Sequence, residues 1–229
     1  MNHATGPFRR IAAIAAVLSL ASLARPARAD ILAISTFDGG TEGWTLGGDS
    51  TSIVPQFLST GGNPGGFLRG TDEVDGRTWF WDAPAKFLGN ISASYGGTLT
   101  FDLRQRGDGN LFDDIDLIIR GNNGPRLVFD TSVIPRDRVW TSYRIGLTET
   151  SGWRLDSLDG RLATRSEFLA ILSDASRLRI RGEFIDGDDT GDLDNVALHT
   201  SAVPEPGSMA LLGLGVAGLG GWRVRRKAR

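Results

Sequence analysis

The 229-residue sequence contains no cysteine, which excludes disulfides, thiolate metal sites and cysteine nucleophiles. It has two histidines, His3 and His199, so neither a zinc site built from several histidines nor a Ser-His-Asp triad fits it. A folded domain of this composition depends on its hydrophobic core alone.

The N-terminal residues have the three parts of a secretory signal peptide. Two arginines at positions 9 and 10 precede an apolar run at 11–23, which is shorter than the roughly 20 residues needed to span a bilayer. Ala27-Arg28-Ala29 is a small-residue cleavage site. We therefore expect a signal helix in residues 1–29, removal by signal peptidase, and a mature chain that begins at Asp30.

The C-terminal residues combine a short motif, an apolar run and a basic end. Val203-Pro204-Glu205-Pro206 comes first, the run at 208–222 follows, and five of the last seven residues are basic. Lipid tolerates the glycines of this run in a helix, and basic residues stay on the cytoplasmic side. The pattern predicts a transmembrane helix over 208–222 with the preceding domain outside.

The same three parts, in this order, resemble the PEP-CTERM sorting signal of Gram-negative bacteria, here over residues 203–229. In that family an exosortase, a membrane transpeptidase-like enzyme, recognises the Pro-Glu-Pro element and removes the tail. Family members are linked to exopolysaccharide and biofilm formation. The resemblance implies an exosortase as partner, anchoring in the cell envelope before processing, and a place at the cell surface or outside the cell afterwards.

The segment between the two ends is strongly acidic. Residues 30–203 contain 16 basic and 26 acidic side chains. This excess argues against nucleic-acid binding, which needs clustered Lys and Arg, and suits hard cations that prefer oxygen ligands. The densest acidic segment, residues 186–192, lacks the closing glutamate of an EF-hand and is predicted to be a solvated turn.

Short apolar or alternating segments separated by Gly, Asn, Asp and Pro predict nine β-strands. They are residues 31–37, 66–69, 78–81, 98–103, 115–120, 126–129, 139–147, 178–184 and 193–199. The capping-box sequence Thr164-Arg165-Ser166-Glu167 predicts one short helix after it. Many short strands at this spacing indicate an all-β sandwich.

A second series of motifs runs through the whole segment in a fixed order. It comprises Phe37-Asp38-Gly39, Trp79-Phe80-Trp81, Ala83-Pro84, Phe87-Leu88-Gly89, Tyr95-Gly96-Gly97 and Leu193-Asp194-Asn195-Val196. Together these motifs resemble the laminin B domain, also called laminin IV type A, over residues 30–200. The resemblance implies a jelly-roll β-sandwich of the galactose-binding-like kind, a role in extracellular adhesive proteins, and no catalysis.

The two ends of the series also resemble the paired first and last strands of carbohydrate-binding jelly rolls, where acidic residues hold a structural calcium ion. The resemblance implies Asp38 and Asp194 as carboxylate ligands, with Asp49 and backbone carbonyls completing the oxygen shell. The alternative is that Asp38 caps a turn and Asp194 pairs with an arginine.

Trp79 and Trp81 lie on one face of a predicted strand. An exposed pair would form a flat platform on which sugar rings stack, whereas the alternative is burial in the core, because tryptophans bury large areas.

These observations predict an exported, non-enzymatic structural or adhesive protein of the cell surface or extracellular matrix, associated with exopolysaccharide. The alternative is a carbohydrate-binding module, with or without calcium. A polysaccharide hydrolase is a remote alternative, because nothing in the spacing of Glu149, Glu167 and Glu183 selects a catalytic pair.

Overall fold

Twelve β-strands and one α-helix follow one another in the computed structural model, which describes residues 29–50, 52–72, 76 and 78–202. The strands are β1 (Ile31–Ser35), β2 (Thr45–Gly47), β3 (Gln56–Leu58), β4 (Phe67–Asp72), β5 (Phe80–Asp82), β6 (Thr98–Gly107), β7 (Leu117–Gly121), β8 (Arg126–Phe129), β9 (Thr141–Gly146), β10 (Arg154–Leu155), β11 (Ala175–Arg181) and β12 (Asp189–His199). The helix, α1, spans Arg165–Ser173.

The strands form two six-stranded antiparallel sheets. In the first sheet the order is β3-β4-β12-β6-β9, and β1 pairs with the second half of β12. In the second sheet the order is β10-β8-β7-β11-β5-β2. The first and last strands of the domain are therefore neighbours, with Ser35 opposite Val196.

Alternation along the strands directs one face of each sheet into a shared core. In β6, Leu99, Phe101 and Leu103 are buried against the second sheet, while Thr100 and Arg104 lie on the other face. Four tryptophans anchor this core, and each is at most 1% exposed: Trp44, Trp79, Trp81 and Trp153. A smaller cluster of Phe80, Ile118 and Val128 packs on the opposite face of the second sheet.

The predicted capping box begins α1. Thr164 accepts a hydrogen bond from the Glu167 backbone, and the Glu167 carboxylate accepts one from the Thr164 backbone N–H at 3.0 Å. Phe168, Ile171 and Leu172 then bury the inner side of the helix. The reciprocal bonds satisfy backbone donors that a helix start otherwise leaves unpaired.

The predicted all-β sandwich with one helix is confirmed for the part of the chain that the structure describes. The signal helix in residues 1–29, the motif Val203–Pro206 and the helix over 208–222 fall outside the described residues, apart from residue 29. Within the described ranges, no helix is both long and apolar enough to cross a membrane.

The solvated turn predicted for residues 186–192 is correct only in its first part. Asp186–Asp188 are exposed, but Asp189 begins β12 and is 4% exposed, and Asp192 is fully buried. Asp192 is buried because arginines of the two neighbouring strands pair with it: Arg69 of β4 and Arg104 of β6 each donate to it at 2.7 Å.

Candidate functional site

The tryptophans predicted to stack sugars lie in the core instead. Trp79 and Trp81 do share one face, but both are 0% exposed, and their rings pack edge to face with centroids 5.3 Å apart. The Trp79 indole N–H donates to the Asp189 carboxylate at 3.3 Å. The stacking role proposed for this pair is therefore wrong, because a sugar ring cannot reach either indole.

The acidic residues at the two ends of the domain meet where β12 changes partners. β4 pairs with β12 as far as Leu193, and β1 pairs with it from Val196 onwards. Between them, β12 has an irregularity against β6, and Asn195 adopts a left-handed φ of 51°. Asp194 lies in this gap, and the loop at 59–66 covers it.

The backbone of that loop packs directly against both predicted calcium ligands. A Cβ on Gly62 would lie 2.6 Å from an Asp194 carboxylate oxygen, and one on Gly65 would lie 2.5 Å from an Asp38 carboxylate oxygen. The structure thus brings Asp38 and Asp194 to one loop, as the sequence predicted.

Asp194 is the deepest acid at this junction. Its carboxylate is fully buried and accepts backbone N–H groups of Asn63 at 2.6 Å and Asn195 at 2.7 Å. Burial, with a smaller contribution from the nearby charges of Asp102 and Asp38, raises the pKa of Asp194 to about 6. A cation at this junction would relieve that repulsion.

Asp49 does not join this pair. It stands with Asp72 and Glu183, and one ligand oxygen of each lies within 4.8 Å of the others. In the described part of the chain, no other set of three or more His, Cys, Asp or Glu is gathered so closely. The three-carboxylate site predicted from Asp38, Asp194 and Asp49 is therefore wrong in its third member, because the loop after β2 holds Asp49 beside Asp72 of β4 and Glu183.

Glu183 and Asp189 belong to the same acidic neighbourhood, and burial raises the pKa of each to about 7. The backbone N–H of Trp79 donates to Glu183 at 3.0 Å, which lowers its pKa in part, while Asp72, Asp189 and Asp49 raise it. Near neutral pH, Glu183 therefore exchanges between a carboxylate that only accepts hydrogen bonds and an acid that also donates one.

A groove of about 980 Å³ opens beside Glu183 on the outer face of the second sheet, and we call it the outer groove. Phe80 of β5 and Ile118 of β7 form its apolar floor. Asn110 and Asp114 line it from the loop between β6 and β7.

Further polar side chains line the outer groove. Asp186 comes from the loop between β11 and β12, Asp49 from the loop after β2, Arg126 from β8 and Arg179 from β11. Arg179 makes two hydrogen bonds to Asp82, at 2.8 and 3.1 Å, and its guanidinium lies 5.4 Å from the Phe80 ring centroid.

Sequence reasoning missed the outer groove because its lining comes from five separate segments. Only one of these segments carries a motif, Trp79-Phe80-Trp81, and its alternation drew attention to the buried tryptophans instead of to Phe80. The useful signal was the apolar pair Phe80 and Ile118, because each is an apolar strand residue whose sequence neighbours on both sides face the core.

Comparison with known families agrees with both resemblances. Residues 80–212 match the family described as Laminin B (Domain IV), and residues 202–227 match the PEP-CTERM protein-sorting motif. The two resemblances predicted from the sequence are thereby confirmed.

Among individual proteins, the chain is 36% identical over 119 residues to a basement membrane proteoglycan of Caenorhabditis elegans. The match covers 52% of this chain and 3% of that protein. It is 33% identical over 138 residues to human laminin subunit gamma-2, covering 57% of this chain and 11% of that protein. The chain thus spans a small part of the length of these relatives.

The fold is similar to the L4b domain of human laminin alpha-2, with a TM-score of 0.59 and 18% identity, covering 73% of this chain and 96% of that one.

Proposed function

Because the chain belongs to the laminin B (domain IV) family, we propose that it is an exported structural or adhesive protein of the bacterial cell surface or extracellular matrix. The observation that carries this proposal is the combination, in one chain, of a laminin B domain with a PEP-CTERM sorting motif. A sorting motif of this kind implies processing by an exosortase-type enzyme. Neither matched family is a catalytic one.

The proposed organisation of the chain follows from the same combination. Residues 1–29 are a signal peptide, residues 30–200 are the laminin B-like domain, and residues 203–229 are the sorting signal with its membrane helix over 208–222. The domain is exported, held by the helix, and passed to the surface or the surrounding polymer when the tail is removed.

Deletion of the gene that encodes this chain in its native host tests the structural role. We expect the extracellular matrix to lose cohesion, measured as the shear stress that disperses cell aggregates, while the size distribution and linkage composition of the polysaccharide stay the same. An unchanged dispersal threshold would overturn the proposal. A changed polysaccharide length with unchanged cohesion would point to the remote alternative, a hydrolase.

Carbohydrate binding is the second candidate function, and the outer groove favours it. Its volume of about 980 Å³ lies at the upper end of the range for ligand sites, about 300–1,000 Å³. An apolar floor with polar side chains around it is a usual arrangement for such sites. This candidate no longer depends on Trp79 and Trp81.

We also propose a structural calcium ion at Asp38 and Asp194. Support comes from the oxygen-rich junction of β1, β4 and β12, where two carboxylates and loop backbone converge. Calcium prefers six to eight oxygen ligands, including backbone carbonyls. The ion would join the first and last strands of the domain.

The calcium proposal predicts that 1 mM CaCl₂ raises the melting temperature of the chelator-treated protein and that Asp38→Asn abolishes this rise (about 1 mM lies in the affinity range of extracellular calcium modules). Asp49→Asn is the matched control, because Asp49 lies in the other carboxylate group. Loss of the rise in Asp49→Asn alone would place the ion at the group of Asp49, Asp72 and Glu183 instead. If calcium does not raise the melting temperature of the wild type, the calcium proposal is wrong.

A further inference from the structure

The outer groove has the chemistry of a hydroxyl-binding site. Its lining carries four carboxylic acids, Asp49, Asp114, Glu183 and Asp186, together with the amide of Asn110. Carboxylates and amide oxygens accept hydrogen bonds from hydroxyl groups, and ionised acceptors make the stronger bonds. Adjacent hydroxyls on a sugar ring present such donors in pairs.

Two of these polar groups are available to a ligand. Asn110 and Asp186 are exposed, and neither side chain makes a hydrogen bond or an ion pair to any described residue. Only their backbones are joined, through the N–H of Asp186 and the carbonyl of Asn110 at 2.8 Å. This bond holds the two loops together while both side chains remain open to the groove.

Other groups of the groove are already fixed, so the site is preorganised. Asp114 accepts the Thr78 hydroxyl and its neighbour's backbone N–H, each at 2.7 Å. Glu183 is held by the Trp79 backbone. Groups that are fixed before binding lose little conformational entropy when a ligand arrives.

The charge of the lining selects against anionic ligands. The four acids face two arginines, and one of these, Arg179, is neutralised by its two hydrogen bonds to Asp82. Arg126 donates to the backbone carbonyl of Asp156 at 2.9 Å. The excess negative charge repels uronates, sulfates and phosphates but leaves neutral hydroxyl donors unaffected.

The floor supplies the apolar contact that a sugar ring needs. Phe80 of β5 and Ile118 of β7 lie on the same outer face of the sheet, with β11 between their strands, and Ile115 packs against their cluster. Phe80 is 8% and Ile118 is 5% exposed, so a pyranose would meet only the edges of these two side chains, and the half-buried Ile115 would make most of the contact with its axial C–H groups.

We propose that the outer groove binds an uncharged glycan segment, with hydroxyl groups donated to Asn110, Asp114, Glu183 and Asp186 and one ring face against Ile115 and the edges of Phe80 and Ile118. The inference rests on the carbohydrate-binding candidate above and names its site and its ligand class. The open form of the groove suits a polymer that enters and leaves along the sheet.

The test measures binding of the full chain, purified in detergent, by titration calorimetry. The probes are three neutral hexasaccharides (cellohexaose, laminarihexaose and xylohexaose) and the anionic hexagalacturonate. We expect saturable binding of at least one neutral probe and at least tenfold weaker binding of hexagalacturonate. Tighter binding of hexagalacturonate, or no saturable binding of any neutral probe, overturns the proposal.

Two variants locate the site without disturbing the fold. Asn110→Ala and Asp186→Asn should each weaken binding about tenfold, the effect of losing roughly 1.4 kcal/mol. Asp108→Asn is the matched control, because Asp108 is exposed on the same loop as Asn110 and does not line the groove. Unchanged binding in both groove variants would place the glycan elsewhere.

The same variants separate this inference from the proposed function. In the native host, the groove variants should be exported normally but retained less on the extracellular polymer. If cohesion requires the chain but the groove variants restore it fully, the groove proposal fails and the structural role stands.

Discussion

At the scale of single residues, Trp79 shows how glycines shape this core. Its indole is surrounded by Gly70 of β4, Gly191 of β12 and Gly182. A Cβ on Gly182 would lie 2.0 Å from the ring, and one on Gly70 would lie 2.5 Å from it. The absence of side chains at these positions makes room for a fully buried tryptophan.

We therefore predict that Gly182→Ala lowers the free energy of unfolding by at least about 2 kcal/mol, because the new methyl group overpacks against an immobile ring. Urea denaturation measures the change. Gly39→Ala is the control, since nothing lies within 4 Å of its Cβ position, and it should shift stability by less than about 0.5 kcal/mol. Equal effects of the two substitutions would contradict this account of Trp79.

The buried acids near Trp79 give a second prediction at this scale. Burial raises the pKa of Asp189 to about 7, above its value in an unfolded chain of about 3.9. Between those values the folded state binds more protons, so its stability falls as pH rises from about 5 to 8. Glu183, whose pKa is also raised to about 7, acts in the same direction.

Asp189→Asn should flatten this decline by about 1–3 kcal/mol between pH 5 and 8, measured by urea denaturation in the presence of a chelator. Desolvation and Arg144 lower the pKa of His199, so this residue makes stability rise with pH, opposite to the effect of Asp189. The informative quantity is therefore the difference in stability between variant and wild type at each pH. Asp108→Asn serves as the exposed control. A wild type that gains stability over this range, with the same profile in Asp189→Asn, would refute the assignment.

At the scale of elements, Asp192 connects three strands. It lies fully buried on β12, between Arg69 of β4 and Arg104 of β6, and Arg106 lies 3.6 Å from it. Arg104 also stacks on Trp140, with its guanidinium 4.2 Å from the ring centroid. This network joins the central strands of the first sheet on the face away from the core.

We expect Asp192→Asn to destabilise the domain by about 3–5 kcal/mol, because it leaves several half-buried guanidinium groups without a counter-charge. The control is Asp137→Asn, whose partner Arg138 is 3.4 Å away and whose side chains are both more than half exposed. That pair should contribute less than about 1 kcal/mol. Thermal unfolding of both variants at low and high salt checks the contrast, and similar losses would argue against the network.

The strands differ in whether they could be predicted from the sequence. Nine strands were predictable: eight have at least four residues, and the three-residue β5 lies in the alternation Trp79-Phe80-Trp81. β8 was predicted at its observed bounds of Arg126–Phe129. β2, β3 and β10 have only two or three residues and leave no periodic signal. The first half of β12 was not predicted, because its aspartates are stabilised by arginines that are distant in sequence.

The same limit applies to the candidate sites. Asp38 and Asp194 were predictable as neighbours, because the first and last strands of such a sandwich pair with each other. Asp49 was placed wrongly, since the direction of a loop after a three-residue strand depends on tertiary packing. The outer groove was not predictable, because its polar lining is assembled from loops that carry no common pattern.

At the scale of the whole molecule, the two ends and the domain have separate tasks. The acidic β-sandwich has no disulfides and is stabilised by its aromatic core and the Asp192 network. The sorting motif determines where this domain is delivered. The glycan binding proposed for the outer groove would attach the delivered domain to neutral polymer.

The most direct test of the central claim is the intact mass of the chain recovered from the cell-surface and extracellular fractions of its native host. The account predicts a form that begins at Asp30 and lacks the segment 208–229, and it predicts that replacing Pro204, Glu205 and Pro206 with alanine leaves this segment attached, whereas Ser201→Ala does not. A full-length chain found in the cytoplasm, or tail removal that is indifferent to the triple substitution, would contradict it.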